Sequence, residues 1–309
     1  MDSLTHIALG SCIGELALGK KLGRKAMVWG LIAASLPDID GVAGLFLSLP
    51  EELIAHRGIT HSFIFAIVAS ALLAFVCRRL HQTRSVPFLH FYIFFLAQIL
   101  LHDLLDTCNA YGTGLLEPFS SDRFSFNILY VADPLFSIWP LIAFIILLFY
   151  RRSRAVQTRL AAGSLLLSLV YIGVSINNKK VTNNYLVESF KQKGIQPTSY
   201  FSTPTPFNNM LWYTVADVDS GYYIGHLSVF DDRSTPIPFN FFKKRDYLLD
   251  SVTNKEEVQK LKIFADGYYT AERWNDTLVF NILRFGQMIG WQEPKAHFAF
   301  HYYLDSSYS

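Results

Sequence analysis

The chain has 309 residues with 27 Lys and Arg against 25 Asp and Glu, so a net charge of +2 gives no basic bias toward nucleic acid and no acidic excess toward disorder. Only 17% of the residues are charged and mean hydropathy is +0.25, which is unusual for a soluble domain and points to a membrane part. Cys12, Cys77 and Cys108 are far apart and lack C-x-x-C spacing, which argues for packing roles and against a thiolate metal or redox site.

The N-terminus has neither the basic leader region nor the small-residue cleavage site of a secretory signal, so the fairly apolar residues 7–18 read as a retained membrane helix. Apolar stretches recur at 4–19, 26–36, 58–77, 88–106, 134–150 and 160–176. The last four approach the roughly 20 residues that cross a bilayer. The first two are shorter, and either span with help from neighbouring helices or are re-entrant segments buried in protein.

Six crossings predict alternating loops, and Lys and Arg near helix ends stay cytoplasmic. Eleven of the thirteen basic residues before position 177 fall in the loops 20–25, 78–87 and 151–159, and only Arg57 and Arg123 lie on the other side. The N-terminus, the 37–57 and 107–133 loops and everything after 176 are therefore expected outside the cytoplasm.

From 177 onward Lys, Asn, Asp and Pro become common, basic and acidic residues balance, and no long apolar run remains. Residues 178–192 read as an amphipathic helix continuing the last crossing. Residues 210–218, 221–230, 267–273, 276–285 and 296–304 are rich in aromatic and β-branched residues, as strands are. Asp219-Ser220-Gly221 is a hairpin signal, and Thr253-Asn254-Lys255-Glu256 reads as a capping box opening a helix to about residue 265. The expected fold is an α-helical polytopic membrane bundle of about six helices over 1–176, followed by a soluble, extracytoplasmic α+β domain with an antiparallel sheet over 177–309.

Ionisable residues in or beside membrane helices are costly and are functional candidates by default. Here they concentrate at one face. Asp2 and His6 begin the first helix, Asp38 and Asp40 follow Pro37 at the end of the second, and His56, Arg57 and His61 open the third. His102, Asp103 and Asp106 close the fourth, and Asp133 precedes the fifth. His102 and Asp106, four apart, point from one helix face, as two ligands of one ion must, and Asp2 and His6 repeat that spacing. The pair Asp38 and Asp40 shares one side if extended, because Pro37 disfavours helix before it. The stretch from His56 to His61 can wrap an ion between a loop and a first turn. Mixed imidazole and carboxylate ligands suit Zn²⁺, with Mn²⁺ or Fe²⁺ as alternatives, and several carboxylates permit more than one metal.

Each residue has a plainer reading. A single His near a helix end is commonly interfacial, and an Asp before a helix is commonly an N-cap, which is the better reading of Asp133 before Pro134. Asp103 faces about 100° from His102 and fits an outer partner or a salt-bridge acid for Arg57. His81 and His90 lie at the other side, while His226, His297 and His301 sit on predicted strands without ligand spacing. Convergence of four His and several Asp from four segments at one depth is what the plainer readings leave unexplained.

The series Met1-Asp2-Ser3-Leu4-Thr5-His6, Leu36-Pro37-Asp38-Ile39-Asp40, His56-Arg57-Gly58-Ile59-Thr60-His61-Ser62 and His102-Asp103-Leu104-Leu105-Asp106 resembles the motifs of the YdjM-like family over about residues 1–140. Tyr111-Gly112 and Pro118-Phe119-Ser120 resemble the stretch that follows HxxxD in that family, and Pro204 to Asn209 with Trp212 resembles the extension of a longer subgroup. The family is described as LexA-regulated, inner-membrane-associated, metal-dependent hydrolases. More distantly, the order His, Asp, His, HxxxD is similar to the ligand order of zinc-dependent phospholipase C and related nucleases. That resemblance implies His6, Asp40, His61, His102 and Asp106 as metal ligands, although those soluble enzymes use further His and Asp or Glu on a later helix, with no matching counterpart here.

The expectation is a membrane-bound hydrolase of a phosphoester or lipid-like substrate, with metal-activated water as nucleophile. Its expected metal residues are His6, Asp40, His56, His61, His102 and Asp106. Asp38 is expected as general base or additional ligand, and Arg57 as binder of the anionic group. Expected partners are membrane lipids and a phosphorylated or amphiphilic small molecule, without nucleic acid. A metal-ion or proton transporter, and a non-catalytic scaffold or sensor stabilised by metal, remain the rival classes.

Overall fold

The computed structural model describes residues 1–81, 86–150 and 153–304. Arg84, Arg151 and Arg152, part of the charge argument above, lie outside the described residues. The chain forms two compact units: residues 1–47 with 55–174, and residues 48–54 with everything from 175 onward.

In the first unit, α1 (Ser3–Leu22) and α2 (Lys25–Ser35) turn at Gly23, whose φ of 60° favours glycine. They approach so closely that a Cβ at Gly30 would lie 2.0 Å from the Gly10 carbonyl oxygen, so small residues at this crossing are a packing requirement. Pro37 then ends α2, and the chain bends by 56° into a 3₁₀ run, Pro37–Leu45. A short helix α3 (Leu49–Ala55) and a 3₁₀ turn Ile59–His61 precede α4 (Phe63–His81). The apolar stretch expected from 58 thus becomes α-helical only at Phe63, because Gly58 and the 3₁₀ turn occupy its start. Next come α5 (Phe88–Thr107), α6 (Pro134–Phe149) and α7 (Arg154–Lys193). Asp133 caps α6, accepting from the Leu135 N–H at 3.0 Å.

The helices α4, α5 and α7 are long and apolar enough to cross a membrane, and the bent pair of α2 with Pro37–Leu45 makes a fourth if it is one span. The helix α6 is shorter at 16 residues, and α1 buries His6 and Glu15 along its length. Among the described residues, length and composition thus single out three or four candidate crossings, where the sequence predicts about six.

In the second unit, α7 continues without a break through the expected amphipathic stretch. Its Tyr185, Leu186 and Phe190 pack on Trp212, Ala216, Leu227 and Ile237. The strands β1 (Ser199–Pro204), β2 (Leu211–Val218), β3 (Gly221–Ser228) and β4 (Phe239–Lys243) form one antiparallel sheet in sequence order. A second antiparallel sheet joins β5 (Tyr269–Trp274), β6 (Thr277–Gln287) and β7 (Phe298–Leu304). The strands β1 and β4 carry Ser, Thr, Pro and Asn among their aromatics and were not foreseen. Helix α8 (Lys255–Phe264) is capped by Asn254, which accepts from the Glu257 N–H at 3.1 Å, one residue later than the Thr253 capping box. Lys260 of α8 pairs with Glu51 of α3 at 3.0 Å, which explains why the 48–54 segment belongs to this unit.

Candidate metal centre

The ends of four elements bring the site together: the N-terminus of α1, the bend after α2, the 3₁₀ turn before α4 and the last turn of α5. Ligand atoms of Asp38, His61, His102 and Asp106 all lie within 4.8 Å of one another, so these four could hold a metal ion. His61 and His102 face each other with their Nε2 atoms 3.1 Å apart. Asp38 Oδ1 lies 3.7 Å from His61 Nε2 and 3.6 Å from His102 Nε2, and Asp106 Oδ2 lies 3.5 Å and 3.8 Å from the same two atoms.

The hydrogen bonds on the far side of each ring bear on what the near side can do. His102 Nδ1 is 2.6 Å from the Ala34 carbonyl oxygen, which can only accept, so Nδ1 carries the hydrogen. A neutral His102 then turns the Nε2 lone pair inward. His61 Nδ1 lies 3.4 Å from Asp40 Oδ2 and 3.1 Å from the Thr60 hydroxyl, which favours the same tautomer. Two inward lone pairs at 3.1 Å repel, and two carboxylates beside them add negative charge. A shared divalent cation relieves both, and an N₂O₂ donor set with outer hydrogen bonds fixing the imidazoles fits Zn²⁺, Mn²⁺ or Fe²⁺.

The sequence-predicted residues divide into layers. Asp38 joins the donors directly; its side chain is 17% exposed, the most accessible of the four, and accepts from the Ser3 hydroxyl at 3.0 Å. Asp40 and His56, expected as ligands, lie behind His61 instead. Asp40 accepts from the Arg57 N–H at 2.7 Å and the Thr60 hydroxyl at 3.1 Å, and faces His56 Nδ1 at 3.1 Å. The 3₁₀ run explains the split, because it sends Asp38 and Asp40 to different neighbours where an extended segment would align them. His6 lies outside the four: its ring stacks on His102 at 3.7 Å between centroids, and its Nε2 is 3.1 Å from Asp106 Oδ1.

Arg57 is turned inward. Its φ of 60° and the Gly114 N–H donated to its carbonyl fold the backbone so that the guanidinium is buried. Arg57 Nε sits 2.9 Å from Asp106 Oδ2, a further N–H donates to Asn109 Oδ1 at 2.8 Å, and the cation lies over the Tyr111 ring at 5.1 Å. The Met1 amino group also pairs with Asp106. Arg57 therefore pairs with Asp106, one of the alternatives the sequence leaves open, which are Asp103 or another carboxylate, or a substrate phosphate. Asp103 is buried, and neither of its carboxylate oxygens has a hydrogen-bond partner among the described residues.

Asp2 acts as the N-cap of α1, accepting from the Thr5 N–H at 3.0 Å, and Asp133 accepts from Tyr171 at 2.7 Å. Neither joins the cluster. The supporting groups that sequence reasoning missed are Ser3, the Ala34 carbonyl, Thr60 and Asn109. Thr60 stands inside the His56–His61 motif and Ser3 inside the Met1–His6 motif, so these two had a local signal. Gly58 sits in a tight spot, since a Cβ there would come 2.9 Å from Glu117 Oε2 and 3.0 Å from the Ala55 carbonyl oxygen.

The chain is 36% identical over 124 residues to the inner membrane protein YbcI of Escherichia coli (strain K12), covering 39% of this chain and 69% of that protein. It is 24% identical over 256 residues to the uncharacterized protein YfhP of Bacillus subtilis (strain 168), covering 77% of this chain and 73% of that protein. No solved structure matches the chain. The family model described as YdjM inner membrane protein matches residues 1–180, which contain every residue of the cluster. The chain is thus a member of the YdjM inner membrane protein family.

Proposed function

We propose that the chain is a membrane-bound metal-dependent hydrolase acting on a phosphoester or lipid-like substrate at the extracytoplasmic face. The observation that carries this reading is the meeting of His61, His102, Asp38 and Asp106 at one point. Asp38, His61, His102 and Asp106 would hold a divalent ion, which would supply Lewis acidity and activate water for attack. Zn²⁺ is the first choice for this donor set.

The chain's own residues divide the remaining work. Asp38, the most accessible donor, marks the side from which a substrate reaches the centre. His56 is partly exposed and paired with Asp40, an arrangement suited to accepting a proton near the rim. Arg57 holds Asp106 in place and offsets its charge, so its part is positioning; binding a substrate phosphate would require that pair to open. Transport is the weaker reading. Toward the opposite end of the helices Gln98 donates to the Gly10 carbonyl at 3.0 Å and Glu15 pairs with Arg154, so these polar groups are committed to helix packing. The outward orientation rests on the basic loops, and reporter fusions at Asn184 and Ser48 test it: both should report the extracytoplasmic side, and a cytoplasmic signal from either overturns it.

The deciding experiment is metal analysis of the purified full chain followed by a screen of phosphorylated amphiphiles. Bound metal together with hydrolysis that disappears in His102→Ala supports the reading. Metal without turnover of any phosphoester or lipid would leave the scaffold class as the better account.

A further inference from the structure

The connection between β1 and β2 exposes Phe207 and Met210 at 61% and 45%, and Phe230, just past β3, is 78% exposed. The Val229 N–H donates to the Met210 carbonyl at 2.8 Å, which sets Phe230 beside this connection. Exposed apolar side chains gathered in one region mark a contact with something other than water.

This connection is built to hold its shape. Phe207 has a φ of 66°, a left-handed backbone that an aromatic residue rarely adopts, and Asn208 fixes the turn around it. Its amide donates to Thr205 Oγ1 and to the Pro206 carbonyl, both at 3.0 Å, while its Oδ1 accepts from the Met210 and Leu211 N–H groups, both at 2.8 Å. The Thr205 N–H donates to the Leu211 carbonyl, and Trp212 Nε1 donates to the Asn209 carbonyl, each at 2.9 Å. Internally bonded irregular backbone is what a segment close to hydrocarbon needs.

The membrane helix fixes where the turn sits. Asn178 of α7 donates to the Asn209 carbonyl at 3.0 Å, and Lys179 donates to the Ser202 carbonyl at 2.8 Å. The apolar stretch of α7 ends at Ile176, so Asn178 lies two residues, about 3 Å, farther along the axis. That is the level at which aromatic side chains settle between acyl chains and headgroups. We infer that Phe207, Met210 and Phe230 form an apolar foot that inserts into the interfacial layer of the bilayer crossed by α7. The inference is independent of the metal centre.

The native cysteines are all buried, so a cysteine introduced at the foot can be labelled selectively. Full-length Phe207→Cys carrying an environment-sensitive fluorophore is reconstituted in nanodiscs, one chain per disc, with phosphatidylcholine brominated on its acyl chains. Asp219→Cys is the control, because it lies at the hairpin beyond the far end of β2, roughly 25 Å away. A strong loss of emission at 207 with little at 219 is expected, and Phe230→Cys gives a second report should the first variant misfold. Equal quenching at the foot and the control overturns the inference. So does a label that is shielded only in liposomes holding several chains, which would assign the foot to contact between copies.

Discussion

Histidine has opposite fates in the two units. In the first, His61 and His102 meet carboxylates on one side while their outer nitrogens face fixed partners. In the second, His297 and His301 lie against Trp274 with ring centroids 4.1 and 4.8 Å apart, and His226 packs beside Tyr213 at 5.3 Å and Trp291 at 6.5 Å. The same side chain is a donor atom where carboxylates converge and a flat apolar ring where aromatics do. The distinction lies in the neighbours that the fold supplies.

The sharpest way to break the comparison is to remove one histidine from each setting. His102→Ala should weaken metal binding by more than the roughly 10–100-fold typical of outer-shell partners, because it deletes a donor atom itself. His297→Ala should leave metal content unchanged. Elemental analysis of both full-length variants after equal dialysis reads the outcome. Metal kept by the first, or lost by the second, contradicts the division.

A smaller effect tests the layers within the centre. Asp40→Asn keeps the shape of the side chain but neutralises the acceptor facing His61 Nδ1, so metal affinity should fall by about 10–100-fold while the donor count is unchanged. Competition with a chelator of known affinity measures it. A loss as complete as in His102→Ala would return Asp40 to the ligands, and no loss would remove it from the centre.

Helical spacing made part of this centre legible. His102 and Asp106 share a face because they are four apart, and that geometry belongs to any helix. The division between Asp38 and Asp40 was not legible, since it depends on the chain turning 3₁₀ after Pro37, and sequence favours an extended reading almost as well. Arg57 illustrates the same limit: a charged residue between two histidines looks available for an anion until Asn109, Tyr111 and Asp106 close around it from another part of the chain. In the second unit, β2, β3, β5, β6 and β7 announced themselves through aromatic and β-branched residues. The strand β1 pairs Ser199–Pro204 with Asp217–Trp212, and its half-polar sequence becomes a strand because β2 offers an edge. The ends of the apolar helices were legible as well.

The mildest test concerns His226, whose ring is half-buried beside Tyr213 and Trp291. Burial pushes its imidazole down to about 4, from an unfolded value near 6.5. Above the unfolded value both states are neutral and His226 contributes no pH dependence. As pH falls from about 6.5 toward 4, the unfolded chain takes up a proton that the folded one resists, so folding loses stability by at most about 1.4 kcal/mol per pH unit. Between pH 7 and pH 5 the loss from this residue should be on the order of 2 kcal/mol or less. Phenylalanine in place of this histidine keeps an aromatic ring that cannot titrate, so His226→Phe should flatten that part of the acid sensitivity. Chemical unfolding of the full-length protein in detergent, followed by tryptophan emission at the two pH values, measures the difference. Equal pH sensitivity in wild type and variant would show that this ring titrates as though exposed, and the contrast between the two kinds of histidine would lose its second half.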